Sequence, residues 1–327
     1  MPMLLVTGAA GKVGSTFIAS LLTDPRFSDW KIRALCHHRT LPTSARLEVV
    51  KGSIAERSVC RAAMSNITHV LHLATCKEIP EDVMDVTVKG LFWLLEEART
   101  SATFKQFILI GGDAALGHFV YPHPLPVTET QKHSAYAGCY ALSKVLEEVM
   151  VEQFHLQYGL NACTLRAPWI MEKDDFRYTL TFGPDVFGGP VWHQLVAPEA
   201  ARAYATAGTV PVMLDPHGNP VQRNFVHVDD LVAAIECALD HPKTSGQTYN
   251  ICMDEPVQYR QVADYLAKTR DLASVEMQTS FHSTWLDNSK AKFHLGWRPQ
   301  VDLETLIDRA WDYQRPAADP RTIYYPG

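Results

Sequence analysis

The chain has 327 residues, 46% hydrophobic and 20% charged, with a formal net charge of −6. That composition suits a water-soluble globular protein with a substantial core, and it excludes a low-complexity chain or a basic nucleic-acid binder. No apolar run reaches the roughly 18–20 residues that span a bilayer, no basic leader with a cleavage site opens the chain, and the seven scattered cysteines lack zinc or disulfide spacing, so a reduced, cytoplasmic setting with no metal and no membrane is expected. In chain order, Met3–Val6 is a short apolar strand that runs into a glycine-rich turn, Thr7–Gly14, and the amphipathic stretch Ser15–Leu22 predicts a helix. Further strands are predicted at Ile32–Cys36, Leu47–Val50, Val70–Ala74 and Phe107–Ile110, with a helix over 83–98 before the last of them. A long helix from about Tyr140 to Tyr158 precedes a strand at Ala162–Leu165. Strands alternating with helices predict a parallel sheet with helices on both faces. From Ala167 to Asn219 the pattern dissolves into proline-, glycine- and aromatic-rich sequence, as in a loop-rich second lobe. A strand returns at Phe225–Val228, Asp229-Asp230 caps a helix over Leu231–Leu239, and Tyr249–Ile251 is a last short strand.

Glycines at 8, 11 and 14 each have a use between a strand and a helix. The first permits the tight turn, the second lets the backbone approach a pyrophosphate, and the third lets the helix pack close to the strand. The helix N-terminus then offers free N–H groups and a positive dipole end, so a dinucleotide is the expected ligand. Far downstream, Tyr140 and Lys144 stand at i and i+4 on one face of the predicted helix. A cation beside a phenol favours the phenolate, which equips Tyr140 to move a proton at neutral pH, and Lys144 can also hydrogen-bond a nicotinamide ribose. The same pair on a solvated helix face would carry no chemistry; the glycine turn gives it meaning.

These segments together resemble the extended short-chain dehydrogenase/reductases, the NAD-dependent epimerase/dehydratase family, over nearly the whole chain. The resemblance runs through Thr7–Gly14, Leu71–Ala74, Val88–Gly90, Tyr140 with Lys144, Arg166, Arg223–Asp230, Tyr249-Asn250, Ser289–Ala291 and Leu295–Pro299. It implies an α/β fold with a Rossmann-type doubly wound parallel sheet over residues 1–165, to which 222–252 returns. A smaller, discontinuous C-terminal substrate lobe is drawn mainly from 166–327. It also implies a homodimer paired through helices at about 83–99 and 140–157. Cofactor contacts are implied for Gly8, Ala10, Gly11, Lys12 and Val13, for Ser53, Ile54, Leu73, Ala74 and Thr75, and for Tyr140, Lys144 and Ala167.

The departures from the family pattern are as informative. Members carry a serine or threonine after the fifth strand that hydrogen-bonds the substrate oxygen beside the tyrosine. Here Gly112 falls at that place and Asp113 follows it. Sugar-nucleotide dehydratases have an aspartate at a matching place, but with a threonine before it and a glutamate after it, both missing here. Asp113, or a hydroxyl from Thr75 or Ser134, is expected to orient the substrate, unless Asp113 only caps a turn. No acid ends the second strand to hydrogen-bond a ribose 2′-hydroxyl. Cys36-His37-His38-Arg39 stands there instead, with His37 and Arg39 where a 2′-phosphate would lie, so NADP(H) is favoured over NAD(H), although the same run suits a solvated loop. Ser53 replaces the family's adenine-contacting aspartate.

In the substrate lobe, Trp169 takes the place of an asparagine found in nucleotide-sugar enzymes, as a stacking wall or as core. Arg223 is a substrate or structural arginine, with Asp229 or Asp230 as its alternative partner. The run Phe182–His193, with Phe187, Trp192 and His193, can close over a compact polyhydroxylated or carbonyl substrate, and His118, Tyr121 and His123 can line the pocket. Gly112 and Asp113 complete the expected substrate contacts. The function expected first is an NADP(H)-preferring oxidoreductase that moves hydride between the nicotinamide and a small carbonyl, hydroxyl or sugar-like substrate, with Tyr140 as acid and base. A sugar or nucleotide-sugar epimerase or dehydratase with tightly held NAD is the alternative, and a non-catalytic dinucleotide sensor is a third.

Overall fold

The computed structural model of the chain describes residues 1–184, 189–319 and 321. In the first half the apolar runs become β1 (Met3–Thr7), β2 (Lys31–Cys36), β3 (Leu47–Lys51), β4 (His69–His72), β5 (Gln106–Gly112) and β6 (Ala162–Ala167). Between them lie α1 (Lys12–Thr23), α2 (Arg57–Met64), α3 (Pro80–Val83), α4 (Gly90–Thr100) and α5 (Cys139–Tyr158), with a π-helical turn at Met84–Lys89 joining α3 to α4. Together with the later strand Gln247–Asn250 they build a seven-stranded sheet. Its order is Gln247–Asn250, β6, β5, β4, β1, β2, β3, and every pairing is parallel. The chain winds from β1 out to β3, then returns to add β4 on the other side of β1. That reversal opens a crevice beyond the carboxyl ends of β1 and β4, where open α/β sheets bind their ligands.

The central strands read as continuous apolar runs because both of their faces are covered. Leu4 and Val6 of β1 join a layer with Phe17 and Leu21 of α1, while Leu5 between them joins one with Leu91, Leu94 and Leu95 of α4. The helix Val228–Ala238 packs beside α1 through Leu231 and Ile235. Its start corrects the expected cap. His227 precedes it and accepts the Asp229 N–H on Nδ1 at 3.2 Å, while the Asp230 carboxylate accepts backbone N–H groups of Gln300 and Val301.

The region after Ala167 is more regular than its composition predicts. Trp169–Met171 pairs in parallel with Phe225–His227, and Val210–Leu214 with Ser274–Gln278. Helices Pro198–Ala207, Tyr259–Arg270 and Leu303–Asp312 complete a lobe with its own core around Phe176, Trp192, Phe225 and Tyr259. Trp192 is therefore a core residue, its indole N–H donating to the Thr179 carbonyl at 2.8 Å, and it does not close over a ligand. Phe182 is buried in the same core, and Phe187 lies outside the described residues. Among the described residues no helix is long and apolar enough to cross a membrane.

Candidate active site

Where β1 ends, the chain bends sharply: the Gly11 N–H donates to the Gly8 carbonyl at 2.9 Å. Gly8 has φ +64°, and a Cβ there would lie 2.9 Å from the Ala74 nitrogen, so both conformation and space demand glycine. Gly11 is the N-cap of α1 and has no side chain to occupy the helix's first N–H groups, which stay open to a ligand. A Cβ at Gly14 would lie 2.6 Å from the Gly8 carbonyl, so the helix packs directly on the turn. This cradle fits the diphosphate of a dinucleotide. Gly8→Ala is expected to weaken dinucleotide binding about tenfold or more, since left-handed strain alone costs roughly 1–3 kcal/mol and the clash displaces the turn; nicotinamide fluorescence titration measures it.

From the turn a cleft of about 520 Å³ runs to α5. Its walls include Gly8, Ala10, Gly11, Lys12, Val13, His37, Arg39, Ser53, Ile54, Leu73, Ala74, Thr75, Tyr140, Lys144 and Ala167, and at one end Gly112, Asp113 and Trp169. Two of these side chains also serve the protein itself. The Lys12 ammonium donates to the Ile170 carbonyl at 2.9 Å and pairs with Asp175, tying the turn to the second lobe. Ser53 Oγ accepts the Ala55 N–H at 3.2 Å. Beside the end of β2 the wall is formed by Cys36, His37, His38 and Arg39, and among the described lining residues only Asp113 carries a carboxylate.

α5 brings Tyr140 and Lys144 to the cleft on one face. Its first turn is capped from the loop after β4: Glu78 accepts the Cys139 N–H at 2.9 Å and the Tyr140 N–H at 3.3 Å. Next to Glu78, Lys77 holds its ammonium 4.0 Å from the centre of the Tyr140 ring, closer than Lys144 at 5.7 Å. Lys144 is itself buried, with Nζ 2.7 Å from Oε2 of the fully buried Glu147. Burial alone would push the Lys144 ammonium down; the charge and contact of Glu147, with the charges of Tyr140 and Glu148, together more than offset it and hold the group above its ordinary value. Behind the pair, burial and then the charge of Lys144 push His72 down to about 3, so it is neutral and joined through Nδ1 to Thr7 Oγ1 at 2.9 Å.

At Gly112 the family hydroxyl is missing and its space is open: a Cβ there meets nothing nearer than 3.8 Å, with the Tyr140 hydroxyl 3.9 Å away. The Asp113 carboxylate does not cap the turn that follows. Its backbone carbonyl closes that turn by accepting the His118 N–H at 3.2 Å, and its Oδ1 lies 2.6 Å from His118 Nδ1. The substitute hydroxyls fare differently. Ser134 donates to the Leu116 carbonyl at 2.9 Å and is off the cleft, whereas Thr75 lines it with its hydroxyl turned to the Cys76 carbonyl at 3.3 Å. Of the loop residues expected to line the pocket, His118 does so; Tyr121, His123 and His193 do not.

Trp169 is a cleft wall with a cation behind it, its ring 4.1 Å from the Arg223 guanidinium. Arg223 is 1% exposed, has the Phe119 ring at 3.9 Å, and among the described residues neither Nη finds a hydrogen-bond partner. Neither expected partner is there, since Asp229 pairs with Arg309 at 2.9 Å and Asp230 serves Gln300 and Val301. Sequence reasoning missed Lys77, Glu78, Tyr136 and Glu147. Only Glu147 carried a readable signal, its i+3 spacing from Lys144.

The chain matches the profile of the NAD dependent epimerase/dehydratase family over residues 4–252. It is 26% identical over 330 residues to a UDP-glucose 4-epimerase of Mycolicibacterium smegmatis, covering 95% of this chain and 98% of that protein. It is 25% identical to a dTDP-glucose 4,6-dehydratase of Streptomyces griseus, over 92% of this chain and 90% of the relative. Among solved structures, a short-chain dehydrogenase/reductase superfamily protein of Agrobacterium tumefaciens with bound NAD superposes with a TM-score of 0.75 at 23% identity, over 94% of this chain and 95% of that one. A UDP-glucuronic acid 4-epimerase of Bacillus cereus in complex with NAD gives 0.73 at 20% identity, over 95% and 98%. The shared architecture is the sheet and crevice described above, and with the profile spanning most of the sequence, the chain belongs to the NAD dependent epimerase/dehydratase family of enzymes.

Proposed function

We propose that the protein moves hydride to and from a hydroxyl- or carbonyl-bearing carbon of a sugar-like substrate that carries an anionic group, and returns it to the same substrate, as an epimerase or dehydratase does. The observation that carries this is Tyr140, a phenol on the cleft wall with the Lys77 ammonium over its ring and Lys144 one turn on. A nicotinamide bound in the cleft supplies the hydride acceptor and donor. Tyr140 takes the hydroxyl proton as the substrate carbon is oxidised and gives it back as the carbonyl is reduced. Lys77 holds its ammonium against the Tyr140 ring, and Glu147 holds Lys144 for Tyr140 and a ribose hydroxyl.

Arg223 supports the anionic group. Arg223 lies behind the cleft wall of Trp169 and does not line the cleft itself, and a buried guanidinium whose Nη groups find no hydrogen-bond partner among the described residues is costly until an anion meets it. Nucleotide sugars, after which the relatives are named, bring a diphosphate. Arg223→Leu is expected to raise KM for such a substrate more than about tenfold while leaving thermal stability equal or higher, because a buried charge without a hydrogen-bond partner for its Nη groups among the described residues is replaced by a hydrophobe. A fall in the melting midpoint would assign Arg223 to structure instead.

A second reading, net oxidation or reduction with exchangeable NADP(H), is favoured by one observation: His37 and Arg39 line the cleft beside β2, and among the described lining residues only Asp113, after β5, carries a carboxylate. The relatives with bound NAD favour the first. One experiment separates them. The purified protein is analysed for retained cofactor and incubated with UDP-glucose, UDP-glucuronate and dTDP-glucose. Conversion without net change in nicotinamide absorbance supports the first. Exchangeable NADPH consumed with a small carbonyl, and no conversion of the nucleotide sugars, overturns it. We also place the protein in the cytoplasm, where its seven unpaired thiols suit a reducing setting. Exposed Met84, Phe92, Leu142, Val149 and Leu156, on the segments that form α4 and α5 and the turn before α4, support pairing of two copies through these helices.

A further inference from the structure

Two cleft groups take no part in the chemistry above, Asp113 and His118. After β5, residues Asp113–Leu116 make a single tight turn. Gly117 (φ +84°) and His118 (φ +48°) then both take left-handed backbone, which folds the chain back so that His118 lies on Asp113. That conformation strains a histidine, and strain of this kind collects at functional sites. Both side chains are at least nine-tenths buried, and Oδ1 of Asp113 is 2.6 Å from Nδ1 of His118. Tyr136 stacks on the imidazole with ring centroids 5.2 Å apart, and its own hydroxyl is buried without a partner among the described residues. The other ring nitrogen, Nε2, meets no protein partner among the described residues, and His118 lines the cleft. The residue before Asp113 is Gly112, whose open Cβ position lies 3.9 Å from the Tyr140 hydroxyl. Asp113, His118 and Tyr140 thus all line the cleft in which the family hydroxyl is missing, with the Tyr140 hydroxyl beside the open Gly112 position.

We propose that His118, held by Asp113, binds the reacting oxygen of the substrate in place of that hydroxyl. This rests on the hydride-transfer function proposed above. With Nδ1 beside the Asp113 carboxylate, Nε2 is the ring nitrogen left to donate an N–H to the substrate oxygen. On oxidation the electron pair of the carbon–hydrogen bond leaves as hydride to the nicotinamide and the hydroxyl proton goes to Tyr140. The hydrogen bond from Nε2 polarises the carbonyl that forms, and His118 keeps its own protons. Although His118 Nδ1 is 2.6 Å from Asp113 Oδ1, the angle between them does not make a hydrogen bond, and catalytic contacts of this kind often align only in the reacting complex.

His118→Asn is the informative variant, because asparagine accepts left-handed backbone but cannot reach or charge as imidazole does. On whichever nucleotide sugar the wild type converts, its kcat is expected to fall about 100-fold. Cofactor affinity by nicotinamide fluorescence is expected to stay within about threefold. Adding Gly112→Ser restores a hydroxyl in the open space beside Tyr140 and is expected to recover about tenfold of the lost kcat. Asp113→Asn is expected to lower kcat with KM little changed. Turnover of His118→Asn within a few-fold of wild type overturns the proposal. So does a double variant that stays at the level of His118→Asn. A wild type that converts no substrate overturns the hydride-transfer function, and this inference with it.

Discussion

Tyr140→Phe is expected to bind dinucleotide as the parent does and to lose about three orders of magnitude in kcat. The substitution removes one oxygen from a side chain whose ring stays packed near Ala114, Tyr136 and Ala141, so the cleft keeps its shape. The Lys77 ammonium still faces an aromatic ring at about the same place. What disappears is the phenol that Lys77 and Lys144 flank on the cleft wall, and with it the group that takes the hydroxyl proton. Fluorescence titration checks the first half of the expectation and single-turnover kinetics the second. Turnover within a few-fold of the parent would move the proton to another group on the cleft wall, and a parent that is itself inactive would return the chain to the class of dinucleotide binders.

Glu148→Ala is expected to destabilise the protein by about 3–5 kcal/mol, because it leaves a buried cation without its partner. Arg166 is 2% exposed and grips Glu148 with both arms, Nε at 3.0 Å and Nη2 at 2.6 Å, while His133 reaches the same carboxylate at 3.0 Å. The pair joins α5 to β6 beneath the site, so the loss loosens the helix that carries Tyr140. A fall in the melting midpoint of about 4–7 °C follows for a chain of this size. Glu148→Gln keeps the shape and separates charge from volume. The pH dependence has a definite sign. Burial alone would raise the Glu148 carboxyl, but Arg166 and His133 more than offset it and hold it below the ordinary 4.5. A depressed folded value means that its contribution is fully present above the unfolded value near 4.5 and is lost as pH falls through the folded one. Denaturant midpoints of the parent should therefore drop on acidification below that range more steeply than those of Glu148→Gln. Parallel profiles would assign acid lability to other carboxylates.

The strands of the sheet were legible because both faces of a buried parallel strand must be apolar, and Phe107–Ile110 or Leu4–Val6 satisfy that without outside help. α1 begins at Lys12 and not at the predicted Ser15, since Gly11 already serves as its N-cap. α2, eight residues long, was too short to show a period. The second lobe was read as loops because prolines punctuate it, although Pro198 sits at the first turn of a helix, where proline is well suited.

The sequence by itself determined the parallel α/β layering, the glycine turn and the pairing of Tyr140 with Lys144, because each follows from spacing within one strand, turn or helix. Only the tertiary structure decided the rest of the site. Lys77 and Glu78 meet Tyr140 from 62 or 63 positions away along the chain, which the adjacency of β4 and β5 and the packing of α5 on them bring about. Arg223 turns out to face Trp169 and Phe119 instead of the neighbouring aspartates, because Phe225–His227 pairs with Trp169–Met171. His118 reaches the cleft through two successive left-handed residues, a backbone choice that no periodicity announces. Local spacing sets elements, whereas the order in which strands pair sets which distant charges share a cleft.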